Sequence, residues 1–482
     1  MINKFIVHKF GILLLTFSLM LFVRKSSNAQ QKWTLQKCIQ YALENSIQIK
    51  QYALNLEANK GMLLQSKAEL LPRVNGFVSH TYSYGRLVDP YTNEFTNNNV
   101  QSNNISLSAE MNLFRGGQLY NTIKQSEFNF LSSLQEMQKA SNDVALTIAS
   151  LYLQILYNNE MLILTEKQVE ISKSQVERTK KLYDAGSVAK GNLLEIQAQL
   201  ASDELQQINA QNQLTDSYLT IKQTLEYESD SVFEIESPQL AEISDNIVLD
   251  NVETIFANAQ TLPEIQSAEL KIKSASSSIK IARSYAVPSL SLYASIGSGY
   301  SDARQKYSLV PSANPREIGY LESNPLDKVY ALAFDQVNET YPFMDQVKDN
   351  QNTSIALRLS IPIFNNFQVK NSVSKSKIAY QNAQYTLQLT KNQVYKDIQK
   401  AHNAAMASIS RYFGSKKAFE ATQESFTYAT QKYELGLYNS IDYNLIKNQL
   451  IKSESEMLQA KYEFYFRKSV LNFYQGKPLE IE

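Results

Sequence analysis

Hydrophobic and polar positions follow two different periods along this chain, and the switches between them occur twice in the same order. A helical period opens at Thr34 and runs to about Leu71, broken at Asn45-Ser46; a second covers about Pro263 to Val287. Pro72 and Pro288 close these stretches, because the residue before a proline is pushed out of helical geometry. Period two comes next. Ile105, Leu107, Ala109, Met111 and Leu113 alternate with Ser106, Ser108, Glu110 and Asn112. Leu290, Leu292, Ala294 and Ile296 alternate with Ser289, Ser291, Tyr293 and Ser295. Ile355, Leu357, Leu359, Ile361 and Ile363 alternate with Ala356, Arg358, Ser360 and Pro362. Val74 to Tyr84 fits less well, with Phe77 on the polar side. Gln118 to Ala185 then contains neither Gly nor Pro. As one helix it would reach roughly 100 Å at about 1.5 Å per residue.

Inside that stretch apolar residues recur every seven positions, at Ile148, Ile155, Leu162, Val169 and Val176. The second copy repeats the phase at Ile398, Ala405, Tyr412, Phe419 and Phe426. A second seam takes Met137, Val144 and Leu151, and correspondingly Leu387, Val394 and Ala401. That is coiled-coil patterning. Gly186 and Gly436 suit the left-handed position after each long helix, and Asn192 and Asp442 are expected to cap the returning ones.

Shifted by 250, the chain reads onto itself without a gap: Gln118 falls on Gln368, Tyr183 on Tyr433, Gly186 on Gly436, Gln199-Leu200 on Gln449-Leu450. Upstream the shift is 216, so the second copy carries 34 extra residues between its two strand-like segments. The expected organisation is a signal peptide over 1–29, a first helix-strand-strand-helix repeat over 30–240 and a second over 241–482. Strands are expected at about 73–84, 104–114, 289–300 and 354–364. The signal peptide rests on Lys4 and Lys9, an apolar run from Gly11 to Val23 too short to span a bilayer as a helix, and small residues at Ser27 and Ala29. No Cys stands at the cleavage point.

Composition narrows the chemistry. Gly (14) and Pro (11) are scarce for 482 residues, as long uninterrupted elements require. Lys+Arg and Asp+Glu cancel at 47 each, which gives no reason to expect nucleic acid as a partner. One Cys (Cys38) and three His (His8, His80, His402) exclude an intramolecular disulfide framework and a Cys/His zinc site. No catalytic, cofactor-binding or metal-ligating set is expected, and no enzyme activity.

Segments of 10–12 residues with one apolar and one polar face have the length and alternation of transmembrane β-strands. Four strands leave open edges, which lipid does not tolerate, so the chain is expected to oligomerise. Three copies give twelve strands and a lumen. The expected fold class is mixed and mainly α: long coiled-coil helices form an α-barrel, joined to a transmembrane β-barrel shared by a trimer, four strands per chain. Leu290, Leu292, Ile296, Ile355, Leu357, Leu359 and Ile361 are expected to face lipid. Ser106, Ser108, Glu110, Arg358 and Ser360 are expected to line the lumen. Tyr82, Tyr84, Tyr300, Phe114 and Phe364 supply aromatic girdles. Residues 301–351 are expected to form a large external loop in which Pro311, Pro315, Pro325 and Pro342 disfavour regular strand, and 85–103 a smaller one.

The turns Leu182-Tyr183-Asp184-Ala185-Gly186 and Lys432-Tyr433-Glu434-Leu435-Gly436, the duplicated unit and the opening Trp33-Thr34-Leu35…Ala42-Leu43-Glu44-Asn45 together resemble the outer-membrane efflux protein (channel-tunnel) family. The resemblance covers essentially the whole mature chain. It implies a homotrimer in the outer membrane of a Gram-negative bacterium, with its helical part a periplasmic tunnel closed at the tip. It further implies docking to a periplasmic adaptor (membrane fusion) protein and an inner-membrane pump, in a passive exit duct for drugs, metals or secreted proteins. Tyr183, Gly186, Tyr433 and Gly436 become candidates for adaptor docking at the tip, and Asn192 and Asp442 for its gate. Two alternatives stay open: the outer-membrane component of type I protein secretion, and a soluble extracytoplasmic coiled-coil scaffold.

Overall fold

The computed structural model describes residues 32–477, apart from 90, 92, 97–98, 229–232, 239, 241 and 245–246, and residue 479. The expected signal peptide, 1–29, lies outside them. Elements run in the order α1 (Leu35–Asn45), α2 (Ile47–Ala68), β1 (Arg73–Ser83), β2 (Leu87–Val88), β3 (Phe95–Thr96), β4 (Val100–Arg115), α3 (Gln118–Asp184) and α4 (Lys190–Thr224). The second half continues with α5 (Val252–Asn258), α6 (Pro263–Ser284), β5 (Ser289–Ser301), β6 (Gln305–Pro311), β7 (Arg316–Leu321), β8 (Asn324–Ala331) and β9 (Phe334–Thr340). It closes with α7 (Phe343–Asp349), β10 (Asn352–Ser360), α8 (Gln368–Glu434) and α9 (Ser440–Tyr474). α3 and α8 are both 67 residues long, and α4 and α9 both 35, so the repeat seen in sequence is a repeat of equal helices. No helix among the described residues is long and apolar enough to cross a membrane.

The chain divides into two compact units, and both repeats contribute to each. The first takes the described part of Met1–Leu54, with Glu136–Ile265 and Thr390–Glu482. Its core gathers Cys38, Ala42, Ile148, Tyr152, Ile155, Ile221, Leu225 and Phe464, all nearly or wholly inaccessible. Thr34 starts α1 by accepting a hydrogen bond from the Lys37 amide at 3.1 Å. Trp33 forms a parallel bridge with Ile235, and the Tyr152 hydroxyl donates to the carbonyls of Trp33 (3.2 Å) and Glu236 (2.5 Å). A buried hydroxyl thus satisfies the irregular backbone on both sides of the bridge.

The second unit, Asn55–Gln135 with Gln266–Leu389, holds the strands. Here the start of α3 meets α2 and α6 through small polar side chains: Ser66–Ser126 at 2.7 Å, Gln125–Ser278 at 2.6 Å, Ser274–Asn129 at 2.6 Å and Ser132–Ser267 at 3.0 Å. The strands form one antiparallel sheet in the order β1-β4-β5-β10. β10 ends at Ser360, short of the expected 364, and Pro362, which has no N–H to give a ladder, lies just beyond it. β4 starts earlier than expected, at Val100.

The 34-residue excess corrects one expectation. The segment 301–351 is not irregular: β6 pairs with β9 and β7 with β8, a bond from the Ser312 amide to the Ala333 carbonyl joins the two ladders, and α7 follows. The prolines sit where strands can accept them. Pro311 ends β6, Pro315 precedes β7, Pro325 lies next to the β7–β8 turn, and Pro342 caps α7.

Candidate functional site

Residues paired directly across an antiparallel ladder share a face, so the register assigns the two faces of the sheet. One face carries Val74, Val78, Ile105, Leu107, Ala109, Met111, Leu290, Leu292, Ala294, Ile296, Ile355, Leu357 and Leu359. Its opposite carries Asn75, Ser106, Ser108, Glu110, Asn112, Ser291, Ser295, Ser354, Arg358 and Ser360. All five candidate lumen residues, Ser106, Ser108, Glu110, Arg358 and Ser360, therefore share the polar face. Ile361 lies past the end of β10. A bulge between Asn112 and Phe114 absorbs Leu113, returning Phe114 to the apolar face opposite Leu290. Phe77 is on the polar face opposite Ser106. At the loop end of β5, Asp89 accepts a hydrogen bond from the Ser301 hydroxyl, and the Gln346 side chain bonds both the amide and the carbonyl of Ser301.

The two helix–helix turns of the first unit have the same construction. Gly186 and Gly436 take φ of +72° and +75°, with paired amide bonds back onto the helix: Ser187 to Leu182 and Leu437 to Lys432, both 2.8 Å. This left-handed ending satisfies the last carbonyls of the long helix and favours glycine. Neither glycine has any atom within 4 Å of where a Cβ would be. Tyr183 is partly exposed beside its turn. Tyr433 is engaged within the chain, stacked on Tyr443 at 4.7 Å with the Arg178 guanidinium 5.8 Å from its ring.

The expected caps are corrected. α9 begins at Ser440, and its cap is Asn439, whose side chain accepts from the Asp442 amide at 2.8 Å. Asp442 is an exposed first-turn carboxylate, placed where it complements the helix dipole. α4 begins at Lys190 after Ala189, which offers no side-chain cap, and Asn192 is inside the first turn. Glu195, at capping-box spacing from Asn192, instead accepts from the Ser440 hydroxyl at 2.5 Å.

That contact is one of several joining the two turns. Arg178 donates to the Glu434 carbonyl at 3.3 Å. Deeper in, Lys447 of α9 is 1% exposed and Asp203 of α4 is 0% exposed, and their charged groups lie 2.9 Å apart. Lys447 also donates to the Ser172 hydroxyl, which donates to Asp203; Gln168 (3.1 Å) and Gln199 (2.8 Å) complete the shell around that carboxylate. Burial alone would raise the Asp203 pKa, yet the hydrogen bonds from Ser172, Lys447 and Gln168 and the Lys447 charge hold it below its ordinary value. Burial pushes the Lys447 pKa down, and its bond and attraction to Asp203 offset only part of that.

The pattern of apolar positions did not reveal this cluster. It belongs to a polar seam: Asn158, Thr165, Ser172 and Thr179 are buried at seven-residue spacing, with Gln168 and Gln175 between them. The spacing was legible; that these positions, and not Leu162 and Val176 beside them, go deepest required the fold.

Comparison with known proteins agrees with this architecture. The sequence profile of the outer membrane efflux protein family matches residues 38–225 and 258–468, most of the chain. The probable efflux pump outer membrane protein TtgC of Pseudomonas putida is 23% identical over 456 residues, spanning 89% of this chain and 81% of that protein. Outer membrane protein TolC of Escherichia coli is 22% identical over 456 residues, spanning 91% and 81%. Among solved structures, VceC from Vibrio cholerae superimposes with a TM-score of 0.71 at 16% identity, covering 92% of this chain and 97% of that one. The Campylobacter jejuni CmeC channel gives 0.69 at 18% identity, covering 93% and 86%. With both repeats matched, the chain belongs to the outer membrane efflux protein family.

Proposed function

We propose that three copies of this chain close a twelve-stranded β-barrel and act as the passive exit duct of a tripartite efflux system, joined to a periplasmic adaptor and an inner-membrane pump. Family membership makes the chain an outer-membrane efflux component with its helical part in the periplasm. The observation that carries the trimer is the sheet itself. It has one apolar and one polar face, and its edge strands β1 and β10 each have a single neighbour among the described strands. An open edge in hydrocarbon leaves backbone groups unsatisfied, at several kcal/mol each, whereas β1 of one copy laid against β10 of the next satisfies them. Closure puts Ser106, Ser108, Glu110, Arg358 and Ser360 on the lumen and the apolar face in lipid. The two turns then ring the periplasmic mouth. Tyr183, Gly186 and Gly436 present open surface there for the adaptor, with Tyr433 holding the turn from beneath. Leu435, Leu437, Ile441 and Leu445 are exposed around the second turn, an apolar surface that an adaptor or neighbouring copies would cover. Asp442 adds one carboxylate per copy to this gate, and Asn192 none.

Disulfide trapping tests the closure. Cysteines scanned along β1 at 75, 77 and 79 against β10 at 354, 356 and 358 should yield covalent trimers on non-reducing gels from outer membranes. Background is low, because the native Cys38 is buried with its thiol pushed up to about 12. Dimers as the largest product, or none at any pairing, would refute the trimeric barrel.

A further inference from the structure

The charges on the polar sheet face are not scattered. Among its ladder-paired positions only four residues are charged, Arg73, Glu110, Arg115 and Arg358, and all fall in three successive rows at the helix-proximal end. Arg73 pairs with Glu110, which pairs with Tyr293; Asn112 pairs with Ser291, which pairs with Arg358; Arg115 pairs with Ser289, which pairs with Ser360. With about 3.4 Å per residue along a strand, the rows lie within about 14 Å of one another. The rows toward the loops carry only Ser, Thr, Asn, Gly, Phe and Val on this face. Each of the three arginines is exposed, and none forms an ion pair among the described residues. Arg73 and Arg115 also line a cleft of about 530 Å³ with Glu69, Glu110 and Asn112, two guanidiniums against two carboxylates. Arg358 stands outside that cleft and brings this end of the sheet to three guanidiniums against two carboxylates.

We propose that Arg73, Arg115 and Arg358 form an anion-selecting collar inside the duct, a passing site for solutes bearing carboxylate, sulfonate or phosphate groups. The proposal rests on the barrel reading above, in which this face lines the lumen. Three copies gather nine guanidiniums against six carboxylates. A water-filled bore with low-dielectric walls focuses such an excess and concentrates the opposite charge. Arginine suits the task because its planar fork takes carboxylate or phosphate in two parallel hydrogen bonds and stays charged at any working pH. Strands hold the forks at fixed height, exposed and in no ion pair among the described residues, so an anion arriving from the helical side competes only with the nearby carboxylates of Glu110 and Glu69.

The test reads local potential at the collar. Ser291→Cys places a thiol between Asn112 and Arg358, and Leu292→Cys places one on the opposite face. The intact trimer in liposomes is treated with a negatively charged sulfonate thiol reagent and, separately, a positively charged ammonium one. At Ser291→Cys the anionic reagent should react faster, and Leu292→Cys should resist both. Adding R73Q, R115Q and R358Q should lower the anionic-to-cationic rate ratio by about threefold or more, and Glu110→Gln should raise it. A ratio unchanged by the arginine substitutions while Ser291→Cys remains reactive overturns the collar and leaves the barrel standing. Labelling of Leu292→Cys in preference to Ser291→Cys overturns the barrel reading and the collar with it.

Discussion

Lys447→Met should loosen the junction between α9 and α4 far more than its single ion pair suggests, while a second substitution should restore part of it. At 2.9 Å the Lys447–Asp203 attraction amounts to about 6 kcal/mol at an effective dielectric of about 20. Stripping water from both ions costs several kcal/mol apiece, so the intact pair stabilises little on balance. Removing the lysine is another matter: it leaves a carboxylate that is 0% exposed with no counter-charge, at about 3–5 kcal/mol. Gln168 and Gln199 still donate to it, which places the expected loss near about 3 kcal/mol. At about 1.4 kcal/mol per tenfold, local opening becomes roughly a hundredfold more frequent. Hydrogen exchange on the detergent-solubilised protein should show that loss of protection in peptides covering 440–451 and 196–206, with 143–156 unchanged. Lys447→Met combined with Asp203→Leu removes both ions and should recover part of the lost protection, the remainder being forfeited by Ser172, Gln168 and Gln199, which lose their acceptor. A double variant as labile as the single one would refute the buried-charge argument.

Three further outcomes follow from the same geometry. Leu357→Arg on the apolar face, lipid-facing in the proposed barrel, should cost about 2–4 kcal/mol and deplete folded protein from outer membranes, while Ser106→Arg on the polar face should be tolerated; equal depletion would undo the face assignment. Gly436 sits at φ +75° with open space where a Cβ would stand, so Gly436→Trp should strain the turn by about 1–2 kcal/mol through its backbone conformation. Efflux activity in cells should fall while the amount of folded protein in the outer membrane holds, and normal efflux would remove this turn from the proposed docking surface. Asp203 has its folded pKa held down, so its stabilising share is complete above about pH 4 and disappears as pH falls through the folded value. Acid should therefore expose the 440–451 peptides to exchange, and Asp203→Asn should flatten that dependence.

Much of this fold is written in local pattern. Residues 118–184 read as one helix because nothing between them breaks it, and Gly186 marks its left-handed end as Gly436 marks that of α8. The alternation of Leu357 with Arg358 and of Leu107 with Ser108 separates the sheet's faces before any pairing is known. Choices between neighbouring residues were less legible. Asn439 and Asp442 are both capping types three residues apart, and the chain's path into α9 selects Asn439. At the joint between β4 and α3, Gly116 and Gly117 take positive φ, yet their second-repeat counterparts Asn366 and Phe367 take it too, so composition alone conceals the shared turn. Lys447 and Asp203 lie 244 positions apart, and no spacing rule connects them.

The same duplication indicates where the first unit separates most readily. Ser172 and Asp203 have second-repeat counterparts in Thr422 and Ser453, and those form a plain hydroxyl pair at 2.5 Å. Lys447 corresponds to Gln197 of the first repeat, so this buried ion pair runs between repeats and has no counterpart at the equivalent positions. The neighbouring links, Ser440 to Glu195 and Arg178 to the Glu434 carbonyl, also run between repeats. Each can be exchanged for water at little net cost, since hydrogen bonds to solvent replace those given up. Apolar packing has no such substitute: baring Ile148, Ile155 or Ile398 forfeits about 25 cal/mol for every Å² exposed. In the proposed duct, a gate at these turns would part along the polar boundary between the α3–α4 and α8–α9 turns, with the apolar seams intact behind it.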